Sequence, residues 1–222
     1  MVLIDTRLNL KEKSERSFSM PTHVISTDER RFEKRRAILD AARRCFIRHG
    51  FDATGMAEIC EVSGMSPGAL YRYFPSKSAI ILAIVDEAGK VLLPVYEELL
   101  ESSDPLESVI GFVLSSIRYV CRPVEGRLWL EIAAQASRND EIRRAWLLVD
   151  RQMRSILKRL LHASMQQGQV SPGLDLETCS IWLNALIDGA IARKAVDPAF
   201  DLESTLGALA DGIRSTLSSS RA

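Results

Sequence analysis

Histidine and cysteine are scarce. Three histidines, His23, His49 and His162, and four cysteines, Cys45, Cys60, Cys121 and Cys179, are all that the 222 residues offer to a metal or redox centre. The cysteines include no close pair and the histidines fall at no ligand spacing, so neither a metal site nor a disulfide framework is expected. The thiols read as buried side chains of helices in a reducing compartment, with a redox-sensing thiolate as the lesser alternative. No run reaches the roughly 18 consecutive apolar residues of a membrane span, and Met1 to Asp5 lack the apolar stretch of a secretion signal, so a cytoplasmic protein with no membrane partner is expected. There is no phosphate-binding glycine loop, no nucleophile elbow, and no histidine set beside an acid or thiol in a recognisable motif. An enzyme and a cofactor are therefore not expected.

Net charge is lacking too, at zero, but its distribution is uneven. Residues 28–77 carry ten Lys and Arg against seven Asp and Glu, whereas residues 78–222 carry fifteen against nineteen. The excess is small enough for an ordinary solvated helix face and gains meaning only beside a nucleic-acid motif. Apolar residues make up 46% of the chain, so a buried core is expected and disorder is not.

What the chain has in abundance is helical pattern. Residues 1–25 mix charges with Ser and Thr, include Pro21 and show no apolar face, and are expected to form a flexible extension whose Arg7, Lys11, Lys13 and Arg16 could serve as a groove-reaching arm. A helix is predicted from Ser26, which stands at capping-box spacing from Glu29. It carries the stripe Ile38, Ala41, Ala42, Cys45, Phe46 and ends at Gly50. Thr54 is expected to cap a second helix with Met56, Ile59 and Cys60 facing inward, and a long helix after Ser76 is expected to kink or break at Pro94. Further starts are read at Asp104, Pro123, Asn139, Asp175 and Asp201, and stops at Gly168, Ser171-Pro172-Gly173 and Pro198. The helix from Asn139 should run about thirty residues and cross a whole domain. With no alternating strand and no repeat, the chain is predicted to be all-α with about nine helices.

The most informative run is Gly64 to Lys77. Gly64 suits the left-handed turn between two helices, Ser66 is a good N-cap, and Pro67 sits at the first helical position, where its missing N–H costs nothing. Pro75 stops this short helix and Ser76 caps the next. A helix-turn-helix over residues 54–77 requires Ile59, Met65 and Leu70 to pack together while Ser66, Pro67, Gly68, Ala69, Arg72 and Tyr73 stay outside. Tyr71, Tyr73 and Lys77, with the amides that follow Thr54 and Ser76, would then hold phosphates, and Arg72 is the long donor placed for a guanine edge. The plainer reading makes Tyr71, Tyr73 and Phe74 core aromatics beneath a surface loop.

Residues 36–85 resemble the DNA-binding domain of the TetR family of bacterial transcriptional regulators. The matching residues are Ile38, Ala41, Ala42, Phe46, Gly50, Phe51, Thr54, Ile59, Gly64, Ser66, Gly68, Leu70, Tyr71, Tyr73, Phe74, Ser76 and Lys77. Gly55 departs from the family's usual Thr or Ser, Cys60 and Ser63 replace alanines, and Val62 takes a normally polar position. The resemblance implies three N-terminal helices for DNA, a linking fourth helix, and a larger helical domain that binds a small molecule and dimerises. It places phosphate contacts at Thr54, Tyr71, Tyr73 and Lys77 and base-facing positions at Pro67, Gly68, Ala69 and Arg72. The domains expected are a helix-turn-helix unit over 26–75 and a ligand-binding and dimerisation unit over 76–222.

Downstream the resemblance is loose and pattern carries the reading. Ala185, Gly189 and Ala192 form a small-residue stripe, and Leu206, Leu209, Ala210, Ile213 and Leu217 an apolar one. Together these helices are expected to build a homodimer interface, with intrachain packing as the alternative; two-fold symmetry then calls for a palindromic double-stranded DNA operator. Phe112, Tyr119, Trp129, Met153, Trp182 and Asn184 are candidates to contact a small-molecule effector, although such residues also fill any helical core. Glu131 and Gln135, four apart on one helix, could add polar contacts or face solvent. The function expected is a ligand-released repressor; the alternative is the same fold with a vestigial pocket, working as an activator or answering to a protein.

Overall fold

The computed structural model describes residues 26–197 and 199–218; the N-terminal extension and Pro198 lie outside the described residues. Among these residues there are nine α-helices and no strand. They are α1 (Thr27–Ala53), α2 (Met56–Ser63), α3 (Pro67–Tyr73), α4 (Lys77–Glu97), α5 (Pro105–Val120), α6 (Pro123–Ala136), α7 (Asp140–Gln166), α8 (Leu176–Val196) and α9 (Leu202–Ser218), with one 3₁₀ turn, Glu98–Glu101, after α4.

Local chemistry explains most of the boundaries. Ser26 and Glu29 close a capping box on α1, the Glu29 amide donating to Ser26 Oγ at 3.0 Å and the Ser26 amide to Glu29 Oε2 at 2.8 Å. Asp104, Asn139 and Asp175 cap α5, α7 and α8 through their side chains. Pro94 does not break α4: the helix runs on to Glu97 and only then tightens into the 3₁₀ turn, with the Pro94 carbonyl accepting from the Glu98 amide. Gly50 does interrupt α1. Its φ of 76° lies in the left-handed region, and one further turn, Phe51 to Ala53, follows it.

The side chains gather into two cores. The first unites Ile38, Leu39, Phe46, Ile59 and Leu70 of the first three helices with Ile80, Ile81 and Ile84 of α4, and with Leu128, Ile132 and Ile142 of α6 and α7. It therefore extends past residue 75. The second joins Phe112, Val113 and Ile117 of α5 to Ile156, Leu157, Leu160 and Leu161 of α7, Leu183 and Ile187 of α8, and Leu206, Ile213 and Leu217 of α9. At 1.5 Å per residue α7 is about 40 Å long, which lets it contribute to both. Helix α4 does the same, with its isoleucines in the first core and Tyr96 in the second. Removing a fully buried anchor such as Leu70 costs about 2–5 kcal/mol, and this one holds α3 to the rest of the molecule.

Candidate nucleic-acid interface and ligand cavity

Helices α2 and α3 meet through a turn at Gly64, whose φ of 68° is the left-handed conformation that the tight reversal needs. The Met65 amide bonds back to the Cys60 carbonyl at 3.1 Å. Ser66 caps α3, accepting from the Ala69 amide at 3.3 Å, and Pro67 is the first helical residue. Ile59 and Leu70 are fully buried, and Met65 packs on the same core. The small helix thus presents Ser66, Pro67 and Gly68 to solvent, with Ala69 half-buried. Tyr71 is 53% exposed, Arg72 is exposed, and neither makes a hydrogen bond or ion pair with the described residues. Tyr73 is half-buried against the core, while Phe74 is buried with the Arg35 guanidinium 5.5 Å from its ring centre.

Two expected phosphate contacts sit differently. Thr54 is 1% exposed and donates its hydroxyl to the Gly50 carbonyl at 2.8 Å, which closes the end of α1. The N-cap of α2 is Gly55, one residue on, and it offers no side chain, so the first amides of α2 stay open to an anion. Lys77 turns inward. Its Nζ donates to the Phe51 carbonyl at 2.7 Å and the Asp52 carbonyl at 3.3 Å, and lies 4.5 Å from the Phe51 ring centre. The reason is electrostatic: α1 has no basic residue in its last turn, and Lys77 supplies the cation that its terminal carbonyls favour.

Glu131 and Gln135 also act on this turn. Because Gly50 leaves the helical path, the Phe51 amide lacks a regular helical acceptor, and Glu131 Oε2 accepts from it at 3.0 Å. Gln135 Nε2 donates to Asp52 Oδ1 at 3.4 Å. The segment from Gly50 to Thr54 is thereby tied to α6 on one side and to α4 on the other. No local pattern marks Glu131 for this task, since its partner lies eighty residues away.

A cavity of about 100 Å³ lies among α4, α5, α6, α7 and α8. Tyr119, Trp129, Met153 and Asn184 of the expected ligand contacts line it. Phe112 is fully buried and stacks on Tyr96 with ring centres 4.1 Å apart, and Trp182 faces a separate depression near Ser171 to Asp175. Tyr96, Trp146, Asp150 and Asp188, none of them expected from the sequence, also line the cavity. The spacing of Trp146, Asp150 and Met153, one face of α7, is the signal that could have found two of them. Tyr96 is hydrogen-bonded to Ser116 at 2.7 Å, and burial pushes its phenol up. Asp150 accepts from Arg154 at 2.9 Å and from Asn184 at 2.7 Å.

On the outer face of α8, Ala185, Gly189 and Ala192 are exposed between Ile181 and Val196, which are 51% and 76% exposed. In α9 the expected interface residues divide. Leu206, Ile213 and Leu217 are buried in the chain's own core, and Ala210 is half-buried against it. None of the four cysteines is in a disulfide, and burial raises the thiols of Cys45 and Cys121, which suits packing rather than nucleophilic use. No described helix is long and apolar enough to cross a membrane, and no group of described residues could hold a metal ion.

Residues 38–84 match the family described as bacterial regulatory proteins, tetR family, and residues 105–218 match the BetI-type transcriptional repressor C-terminal family. The HTH-type transcriptional regulator UidR of Escherichia coli K12 is 30% identical over 164 residues, which is 71% of this chain and 80% of UidR. Two solved structures share the fold. FadR of Bacillus subtilis in complex with stearoyl-CoA has a TM-score of 0.70 at 21% identity, over 83% of this chain and 97% of FadR. A putative regulator of Saccharomonospora viridis in complex with choline has 0.73 at 23%, over 85% of this chain and 99% of that one. The exposed short helix that follows a left-handed turn, the helical second half and these matches agree: the chain belongs to the TetR family of bacterial transcriptional regulators, and it is a regulator rather than an enzyme.

Proposed function

We propose that the protein is a cytoplasmic homodimeric repressor that occupies a palindromic operator and leaves it when a small molecule enters the cavity between α4 and α8. The carrying observation is that α4 and α6 each serve both ends: Val85, Leu92 and Tyr96 of α4 line the cavity while its isoleucines pack beneath the reading head, and Trp129 of α6 lines it two residues before Glu131 grips Phe51. A ligand that displaces Trp129 or Tyr96 shifts the anchors of the Gly50–Thr54 turn, and with them the seat of α2 and α3. Release follows if the ligand binds the form with displaced heads more tightly, by that difference in free energy.

On the DNA, Arg72 is the base-reading donor, and Tyr71, Tyr73, Ser66 and the open amides of α2 hold phosphates; Pro67, Gly68 and Ala69 allow close approach to the base edges. The dimer forms through the exposed stripe of Ile181, Ala185, Gly189, Ala192 and Val196, joined by the small outward residues of α9. The relatives support an effector in general terms, since choline and stearoyl-CoA are ligands of two proteins of this fold. The reading is tested by measuring operator affinity with and without a cavity ligand, and ligand affinity with and without operator. Linkage requires both to change by one factor, and equal ligand affinity in the two cases removes the release mechanism.

A further inference from the structure

We propose that a second hollow, at the corner where the end of α5, the start of α6 and the end of α8 meet, binds a phosphate group, either free or as the headgroup of a small phosphorylated metabolite, through Arg122, Arg127 and Lys194. It is distinct from the cavity described above: Val120 and Ile191 are the residues that line both, and they form the shared apolar wall. The site does not depend on the release mechanism, since it holds its anion whether or not the reading heads respond.

Charge carries the argument furthest. Residues 78–222 hold nineteen acids against fifteen bases, yet this hollow gathers three bases and no Asp or Glu. A recess lined by one sign of charge, with low-dielectric walls, concentrates ions of the other sign. Its donors are also available. Arg122 and Arg127 are exposed, and their side chains make no hydrogen bond or ion pair among the described residues, although the Arg122 guanidinium lies 5.3 Å from the Tyr119 ring centre. Lys194 is half-buried and gives one N–H to the Phe200 carbonyl at 3.0 Å, which leaves its other donors for a ligand.

The backbone adds to this. Helix α6 starts without a side-chain cap and with Pro123 in its first turn, so its first amides have no acceptor within the helix and its positive end is unscreened. That turn borders the hollow through Arg122 and Gly126. A Cβ on Gly126 would come within 2.6 Å of the Val120 carbonyl oxygen. Glycine therefore lets the start of α6 press on the end of α5, which brings Arg122 and Arg127 to Lys194 of α8. Cys121 completes the floor, 8% exposed and with no hydrogen-bond partner among the described residues. Burial pushes its thiol up against the pull of the Lys194 charge, so it presents an S–H and not a competing negative charge.

Size sets the limit. About 160 Å³ is close to the roughly 150 Å³ that accommodates a benzene ring, so a phosphate group fits inside and the remainder of an ester projects into solvent.

The test uses the intact protein in phosphate-free buffer at fixed ionic strength, with inorganic phosphate, glycerol phosphate and acetate as probes followed by calorimetry. One of the two phosphates is expected to bind at least about tenfold more tightly than acetate, and the tighter one tells free anion from headgroup. Arg127→Ala and Lys194→Met should each weaken that binding at least about tenfold, Arg127→Lys should restore part of it, and phosphate should raise the Tm of the parent but not of Arg127→Ala. Arg193→Ala removes the same charge from the exposed last turn of α8, outside the lining, and should leave binding unchanged, as should Arg72→Ala on the reading head. Thermal unfolding shows that each variant is folded. Absence of phosphate binding, binding indifferent to Arg127→Ala, an equal loss in Arg193→Ala, or a loss confined to Arg72→Ala overturns the proposal.

Discussion

Replacing Lys77 with methionine keeps the apolar stem and removes the ammonium that joins α4 to the end of α1. The loss comprises two hydrogen bonds from a charged donor, at 2.7 and 3.3 Å, and a cation–ring contact at 4.5 Å. A good charged hydrogen bond contributes about 1.5–3 kcal/mol and a partly exposed cation–ring contact about 0.5–1 kcal/mol. Since Lys77 is only half-buried and its second bond is long, about 2–3 kcal/mol is expected in total. For a chain of this length that lowers Tm by roughly 4–12 °C. The contrasting role, a phosphate contact, makes a different prediction: little change in Tm, and a fall of about one in the slope of log affinity against log salt. Thermal unfolding by circular dichroism and a salt titration of DNA binding decide between them. An unchanged Tm with a reduced slope would refute the inward assignment; a lowered Tm with an unchanged slope is what the geometry predicts.

Arg72→Ala should do the opposite, leaving folding stability within about 0.5 kcal/mol of the parent's while costing roughly 1–3 kcal/mol of operator affinity and relaxing preference at one base position; uniform weakening on all sequences would move Arg72 to the DNA backbone. Asp188→Asn should raise Tm at neutral pH. Asp188 has a folded-state pKa raised above its unfolded value, so the folded state binds the proton more tightly and stability falls as pH rises through that interval. The gain from the amide should therefore shrink as pH drops through that interval and vanish well below about 3.9, where the carboxyl is protonated in both states. Ala185→Glu, placed in the exposed stripe of α8, should shift sedimentation toward the monomer and make Tm independent of protein concentration; an unchanged dimer would relocate the interface.

Much of this architecture is readable from local chemistry. Ser26 with Glu29, Asp104, Asn139 and Asp175 are caps whose partners lie within three residues, and Gly64 before Ser66-Pro67 encodes its turn in four. Thr54 and Gly55 show the limit at one residue: both suit a helix start, and only burial of the threonine decides which serves. Pro94 overestimates its local effect, because α4 is held by both cores. The functions of Lys77 and Glu131 depend on carbonyls and amides 25 to 80 residues away, which no spacing rule reaches. The cavity is harder still, since Tyr96, Trp146 and Asp188 converge from three helices and each alone resembles a core or surface residue. The stripe of α9 was legible as apolar but not as inward, since a core face and a partner face share one pattern.

The central claim, a two-fold DNA reader built on α3, is tested most directly by footprinting the purified protein on the DNA beside its own gene, at a salt concentration that suppresses non-specific binding. Two related half-sites in inverted orientation are predicted, separated by about one helical turn of roughly 34–36 Å or by a larger step, with protection lost in Arg72→Ala. Protection that shows no dyad, or that persists unchanged in that variant, would contradict the account.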